Sequence, residues 1–131
     1  MTTNMTLPRL FTAADVISRI DIGDFTLRYC QFLDDFIRSS DKEKLIIEEP
    51  PLSPDYSAEQ YALLAAAVHF LSDKENLTVP KWAFKKRYYL PLPTFPLSYQ
   101  NEDHERLLKD TTPSQFGERN LMYGANVCQR A

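Results

Sequence analysis

The chain has 131 residues, of which 44% are hydrophobic and 25% are charged, and its formal net charge is −3 at pH 7. These proportions are those of an ordinary folded protein, and they exclude a disordered or membrane-embedded chain. The mild negative charge also argues against nonspecific nucleic-acid binding by the whole molecule, which usually needs a strongly basic surface.

The first residues are expected to be flexible, and the first helix is expected to begin just after them. Residues 1–10 have no regular pattern and no positively charged leader followed by an apolar run, which predicts a cytoplasmic protein without a membrane segment. Thr12, followed three residues later by Asp15, has the form of a capping box, in which each side chain accepts a hydrogen bond from the other residue's amide. A short helix is therefore predicted from there to about Ile20.

Two further helices are predicted before the first pair of prolines. Asp24 can cap the second, which runs to about Ser40, because its apolar residues recur at intervals of three and four with polar residues on the opposite side. The third runs from Lys42 to Glu49, with Asp41 as its cap. The proline pair at 50–51 ends it, since a proline ring disfavours helical geometry at the preceding residue.

Residues 57–71, SAEQYALLAAAVHFL, are the stretch around which the fold is expected to be organised. Ser57 and Gln60 form a second capping box, so the helix should begin near Ala58. From Tyr61 onward every residue to the end of this stretch except His69 is apolar, and such a helix belongs inside a domain. The prediction is a mostly α fold: a single compact helical domain, residues 1–131, around this buried helix.

Two histidines are the first candidates for catalysis. His69 lies four residues before Asp73, close enough on a helix for a hydrogen bond that would fix its tautomer. No nucleophile is identifiable beside it, so a structural or surface role is predicted. His104 falls in a polar helix start, where solvent exposure is the plain explanation.

Residues 80–100 combine prolines with aromatic residues and have no regular period. Such a segment can form a short helical turn near Trp82 and then an extended strap, which aromatic side chains anchor over the core. A structural strap is favoured over a partner-facing surface.

Basic residues occupy four of seven positions in this segment and are interleaved with aromatic ones. Cations attract phosphate or carboxylate, and aromatic rings stack on bases or fill protein pockets. The candidate partner-binding residues are Trp82, Lys85, Lys86, Arg87, Tyr88 and Tyr89. Solvated lysines beside buried rings explain the pattern equally well.

The C-terminal third is predicted to contain two short helices. Asn101 can cap the first, and Thr112, Pro113 and Gln115 mark the start of the second, which Gly117 stops. The last stretch, RNLMYGANVCQRA, is interpreted as either a short strand or a docked tail.

Catalytic and metal-binding motifs are not recognisable in the sequence. The adjacent carboxylates at 34–35 and at 48–49 diverge by about 100 degrees on a helix, so neither pair converges on one ion. Three glycines are too few and too scattered for a phosphate-binding loop. Cys30 and Cys128 are expected to be separate thiols rather than a disulfide. No cofactor or metal is expected, and an enzyme is the less favoured interpretation.

Several stretches in this order resemble a family of small bacterial proteins from actinobacteria and other Gram-positive bacteria. They are DFTLRYCQFLDDFIRSSDKEKLIIEEPP at 24–51, the apolar helix after it, PKWAF at 80–84 and the C-terminal RNLMYGANVCQRA. The resemblance implies an association with regulator or antitoxin genes near toxin-like nucleotidyltransferases. The DNA-binding helix-turn-helix of antitoxin-type regulators is not recognisable here, because prolines interrupt any continuous recognition helix.

The leading hypothesis is a non-enzymatic protein-binding module, antitoxin-like, that blocks or modulates another bacterial protein such as a toxin or a defence enzyme. A phage or mobile-element inhibitor of a host defence enzyme is a variant of it. One alternative is a nucleic-acid-binding transcriptional regulator, which would use the same basic residues against phosphate. Another is a small metal-dependent enzyme built on the paired carboxylates.

Overall fold

The computed structural model describes residues 10–96 and 101–125, which form five α-helices and three short 3-10 helices. The predicted mostly α fold is confirmed. Two compact units can be distinguished within the chain, residues 1–51 and residues 52–131. Residues 1–9 and Cys128 lie outside the described residues. In the described part, no helix has the length and apolar character needed to span a membrane.

Unit 1 contains two α-helices, α1 (Ala13–Ser18) and α2 (Phe25–Arg38), that begin where the sequence predicts. The Thr12–Asp15 capping box is present, with the Asp15 amide 3.1 Å from the Thr12 hydroxyl and the Thr12 amide 3.0 Å from the Asp15 carboxylate. The Asp24 carboxylate caps α2 by accepting from the Leu27 amide at 2.9 Å. These local bonds satisfy amides that have no partner inside the helix.

Two buried side chains hold the connections of unit 1 in place. The Arg28 guanidinium donates to the Val16 carbonyl at 2.8 Å and to carbonyl groups of the turn before α2. The Asp35 carboxylate accepts from the Phe11 amide at 2.8 Å and from the side chains of Gln31 and Arg38. Asp35 therefore stabilises the entry into α1, and its oxygens are already hydrogen-bonded within unit 1.

The predicted third helix over Lys42–Glu49 is wrong in its length. Only a single 3-10 turn forms, Lys42–Leu45, and the Asp41 side chain makes no capping hydrogen bond. An eight-residue segment closed by prolines is too short to be stable as an isolated helix. The turn buries Leu45 and Ile46 instead, while Ile47 is 65% exposed.

Unit 2 is organised around α3 (Ala58–Lys74), as expected from the apolar stretch. The Ser57–Gln60 capping box is present, with the Gln60 amide 3.1 Å from the Ser57 hydroxyl. Ala62, Leu64, Ala66 and Val68 are all 0% exposed, so α3 is buried around most of its circumference. The strip of small residues on α3 is covered rather than exposed to water.

The helix α3 continues one turn past its predicted end at Leu71. It ends in a Schellman motif, because Asn76 takes a left-handed conformation at φ 58° and the Leu77 amide donates to the Ser72 carbonyl at 2.8 Å. The helix α3 therefore ends within the polar run that follows Leu71, after including the first three residues of that run.

After α3, the described part of unit 2 contains two 3-10 turns, Lys81–Phe84 and Lys86–Tyr88, and two short helices, α4 (Glu102–Thr111) and α5 (Ser114–Gly117). The predicted Asn101 cap is present, with the His104 amide 2.9 Å from the Asn101 side chain. The described part of the C-terminal stretch makes an isolated parallel bridge between Leu121 and Thr94. It is therefore a docked segment, with Leu121 fully buried.

Candidate functional site

The residues predicted to bind a partner lie on the two 3-10 turns after α3, which separate them into a buried and an exposed set. Trp82 is 7% exposed and Tyr88 is 0% exposed, and their ring centroids lie 5.7 Å apart in an edge-on contact. Tyr88 also contacts Tyr61 of α3, at 6.2 Å between centroids. The structure contradicts the prediction that Trp82 and Tyr88 contact a partner, because side chains covered in the folded chain cannot enter a pocket of another protein.

The exposed side chains of this segment are one aromatic and four basic ones; two of them, Phe84 and Lys81, were not among the predicted residues. Phe84 is 49% exposed, and it is the aromatic member of the large hydrophobic side chains that reach the surface in the described residues. The basic residues around it are exposed as well. We define Lys81, Phe84, Lys85, Lys86 and Arg87 as the cationic surface. Trp82 and Tyr88 anchor the same two turns in the core, while the side chains of the cationic surface are exposed. This anchoring agrees with the strap interpretation.

Arg119 follows α5 and is fully buried, although a lone arginine among tail residues gave no indication of this in the sequence. Its guanidinium donates to the Ala83 carbonyl at 2.7 Å and to the Gln115 carbonyl at 2.8 Å. Its charge lies over the Tyr89 ring, with 4.6 Å between the guanidinium carbon and the ring centroid, so the half-buried Tyr89 is an internal support for Arg119. Burial lowers the pKa of Arg119, but a guanidinium stays protonated in proteins.

The same guanidinium contacts His69, with 3.1 Å between Arg119 Nη1 and His69 Nδ1. Because a guanidinium can only donate, Nδ1 must accept, which places the proton of the neutral imidazole on Nε2. His69 Nε2 in turn lies 3.3 Å from an Asp73 carboxylate oxygen, as the spacing of four residues predicts. Gln115 donates to the same carboxylate oxygen at 2.9 Å. His69 is thus held as a structural link between two charged groups.

The electrostatic surroundings of His69 favour its neutral form. Burial lowers the pKa of His69 from its ordinary value of 6.5, and the positive charge of Arg119 lowers it further. The negative charges of Asp73 and Glu118 act in the opposite direction without reversing the shift.

Phe84 joins the cationic surface to this buried group. Its ring meets the imidazole of His69 edge-on, with 4.9 Å between centroids and 75° between planes. The residue before Phe84 is Ala83, whose carbonyl accepts the Arg119 hydrogen bond. We define the His69 cluster as His69, Asp73, Phe84, Gln115 and Arg119. The position of Phe84 on the surface therefore depends directly on the cluster beneath it.

Other titratable residues give less support for a site. The described residues contain no group of three or more His, Cys, Asp or Glu side chains placed to hold a metal ion. A shallow depression lies along one face of α4, lined by Glu102, Glu105, Arg106 and Lys109. Glu105 and Lys109 pair with each other at 3.5 Å, so opposite charges offset one another there.

Comparison with known proteins finds no matching family model, no matching curated sequence and no matching solved structure.

Proposed function

We propose that the chain is a non-enzymatic protein-binding module that docks onto an acidic patch of a partner protein through the cationic surface. One observation carries the proposal: Phe84 and the neighbouring lysines and arginine are exposed on two turns. These turns are anchored in the core by the buried rings of Trp82 and Tyr88 and by the Arg119–Ala83 hydrogen bond. A rigid exposed segment loses little conformational entropy on binding, which favours affinity.

The chemistry of the cationic surface indicates the kind of partner. An exposed aromatic ring surrounded by cations matches the composition of interface hot spots, where an apolar anchor enters a pocket and charges at the rim steer association. Phe84 is the aromatic anchor in this proposal, in place of the candidate residue Trp82, which is buried. Lys85, Lys86 and Arg87 face carboxylates of the partner and raise the rate of association at low salt.

The contacts of His69 support a binding role over a catalytic one. Both imidazole nitrogens are engaged, one by Arg119 and the other by Asp73, and the Phe84 ring lies against the imidazole. A histidine held in this way serves packing and orientation. The antitoxin-like mode and the bacterial partner are proposals that rest on the sequence resemblance, and a cytoplasmic location is proposed with them.

The experiment is a capture of partners from a nuclease-treated lysate of the source organism, followed by direct binding of the purified candidate. The test variants are Phe84→Ala and the triple variant Lys85→Glu, Lys86→Glu, Arg87→Glu. The matched control reverses the same number of charges at scattered exposed positions, Lys44→Glu, Lys74→Glu and Arg106→Glu. Each variant is checked for folding by circular dichroism.

The proposal predicts a stoichiometric protein partner that is lost with both test variants and kept with the control. Its affinity should decrease as salt increases, since rim charges are screened. Equal binding by the folded triple variant and by the control rejects the cationic surface. If no protein partner is found and the chain instead shifts duplex DNA or RNA in a gel, with an affinity that increases at low salt, the same surface is assigned to nucleic acid.

A further inference from the structure

The His69 cluster connects a titratable group to the cationic surface through two contacts. One runs directly from the imidazole to the Phe84 ring at 4.9 Å, and the other runs through Arg119 to the Ala83 carbonyl at 2.7 Å. Both end on neighbouring residues of the first 3-10 turn, Lys81–Phe84. A change in the charge of His69 therefore acts on the backbone and on the aromatic ring of the same turn.

Protonation of His69 is incompatible with the Arg119 contact as it stands. A proton on Nδ1 would point at a guanidinium nitrogen 3.1 Å away, so that two donors and two positive charges would face each other in a buried place. Asp73, on the same helix, and Glu118, next to Arg119, attract the imidazolium, and the Asp73 contact at Nε2 is kept. The imidazolium and Arg119 then repel each other, because two donors and two positive charges meet at 3.1 Å.

We propose that His69 is a proton-sensitive latch of the cationic surface: protonation moves Arg119 away from the Ala83 carbonyl and loosens the first 3-10 turn together with Phe84. The ordered form of the surface is the form with a neutral His69. Acidification consequently weakens binding of the acidic partner, and this consequence rests on the proposed function. The structural part of the inference concerns the chain alone.

Trp82 offers a direct readout of this movement. It is the only tryptophan of the chain, it lies within the turn concerned, and its ring is in contact with Tyr88. Loosening of the turn changes the burial of the indole ring and hence its fluorescence emission. The amide NMR resonances of residues 83–87 report on the same turn independently.

The experiment titrates the purified full chain, without any partner, from about pH 8 to about pH 5, the range in which histidine changes its charge. The imidazole protons of both histidines are followed by NMR, together with Trp82 emission and the amide resonances of residues 83–87. Because the isoelectric point is about 5.3, each sample is kept dilute and its monomer fraction is measured by sedimentation.

The expected result is a shift of Trp82 emission with the same midpoint as the His69 imidazole, below the ordinary value of 6.5. The shift should disappear in His69→Asn, whose side-chain oxygen can still accept from Arg119, and should persist in His104→Asn, which removes the other histidine. If His69→Asn does not fold, the agreement of the two midpoints in the natural chain decides the question.

The inference is overturned if His69 titrates while Trp82 emission and the amides of residues 83–87 stay constant, or if His69→Asn keeps the full shift. These outcomes do not touch the proposed function, since partner binding at neutral pH is measured separately. Conversely, the absence of a partner leaves the titration and its interpretation unchanged.

Discussion

The guanidinium of Arg119 donates a hydrogen bond of 2.7 Å to the carbonyl oxygen of Ala83, 36 residues earlier in the chain. This bond ties the C-terminal segment of unit 2 to the turn that presents the cationic surface. The buried arginine also joins α3 and α5, through His69 and the Gln115 carbonyl. The stability of unit 2 and the geometry of its surface therefore depend on the same side chain.

Arg119→Met should destabilise unit 2 by about 3 kcal/mol, because it leaves buried acceptors unpaired while keeping much of the side-chain volume. Arg119→Lys should recover only part of this loss, since an ammonium group cannot reproduce the geometry of the guanidinium. Urea unfolding followed by Trp82 fluorescence measures the free energy of unfolding. Arg106→Met, at an exposed position of α4, is the control and should change it by less than about 0.5 kcal/mol; equal effects of the two methionine variants would contradict the structural role of Arg119.

Gly23→Ala should destabilise unit 1 by about 1 kcal/mol or more, since Gly23 has φ +56° and an added Cβ would lie 2.3 Å from a methyl carbon of Leu27. Gly117→Ala is the matched comparison: its added Cβ meets nothing within 4 Å in α5, so that this change should be neutral or mildly stabilising. Because Trp82 lies in unit 2, unfolding is followed by far-UV circular dichroism, which reports on the helices of both units. If Gly23→Ala left the free energy of unfolding unchanged, the turn before α2 would be able to adjust its backbone to the added methyl group.

Ser57→Ala should lower the free energy of unfolding of unit 2 by about 1 kcal/mol, because it removes the hydroxyl that caps α3. Ser57→Gly should cost only a few tenths of a kcal/mol, as glycine is a tolerated cap. Thr78→Ala, at an exposed position after α3, serves as the control. Chemical unfolding of the variants should give this order, and an unchanged Ser57→Ala would mean that packing alone defines the start of the helix.

The stability of unit 2 should decrease as the pH falls below the ordinary histidine pKa of 6.5. Burial and Arg119 lower the pKa of His69 in the folded chain, so the unfolded chain binds more protons between the folded and unfolded pKa values. The loss begins near the unfolded pKa and is complete below the folded one. The measurement compares unfolding free energies of the natural chain and His69→Asn across this range; the difference between them should shrink on acidification. A constant difference would show that His69 titrates alike in both states.

Local patterns in the sequence predicted the starts of four helices correctly, whereas Asp41 makes no capping bond and α5 begins after Pro113 without a side-chain cap. Thr12, Asp24, Ser57 and Asn101 cap the helices that follow them, because a cap bonds to an amide two or three residues away and needs nothing from the rest of the chain. The third predicted helix failed for the opposite reason. Residues 42–49 have helical composition, but burial of Leu45 and Ile46 and the following prolines leave only one turn.

The sequence by itself determined the mostly α class, the apolar central helix α3 and the basic-aromatic composition of residues 81–89. Only the tertiary structure decided which aromatic residues of that segment are buried: Trp82 is covered and Phe84 is exposed. It also brought Arg119 into contact with His69, which is 50 residues away in the chain. Short-range hydrogen bonds and helical periodicity are encoded over a few residues. The burial of an individual side chain depends on which distant segments pack against it, and this is set only when the whole unit folds.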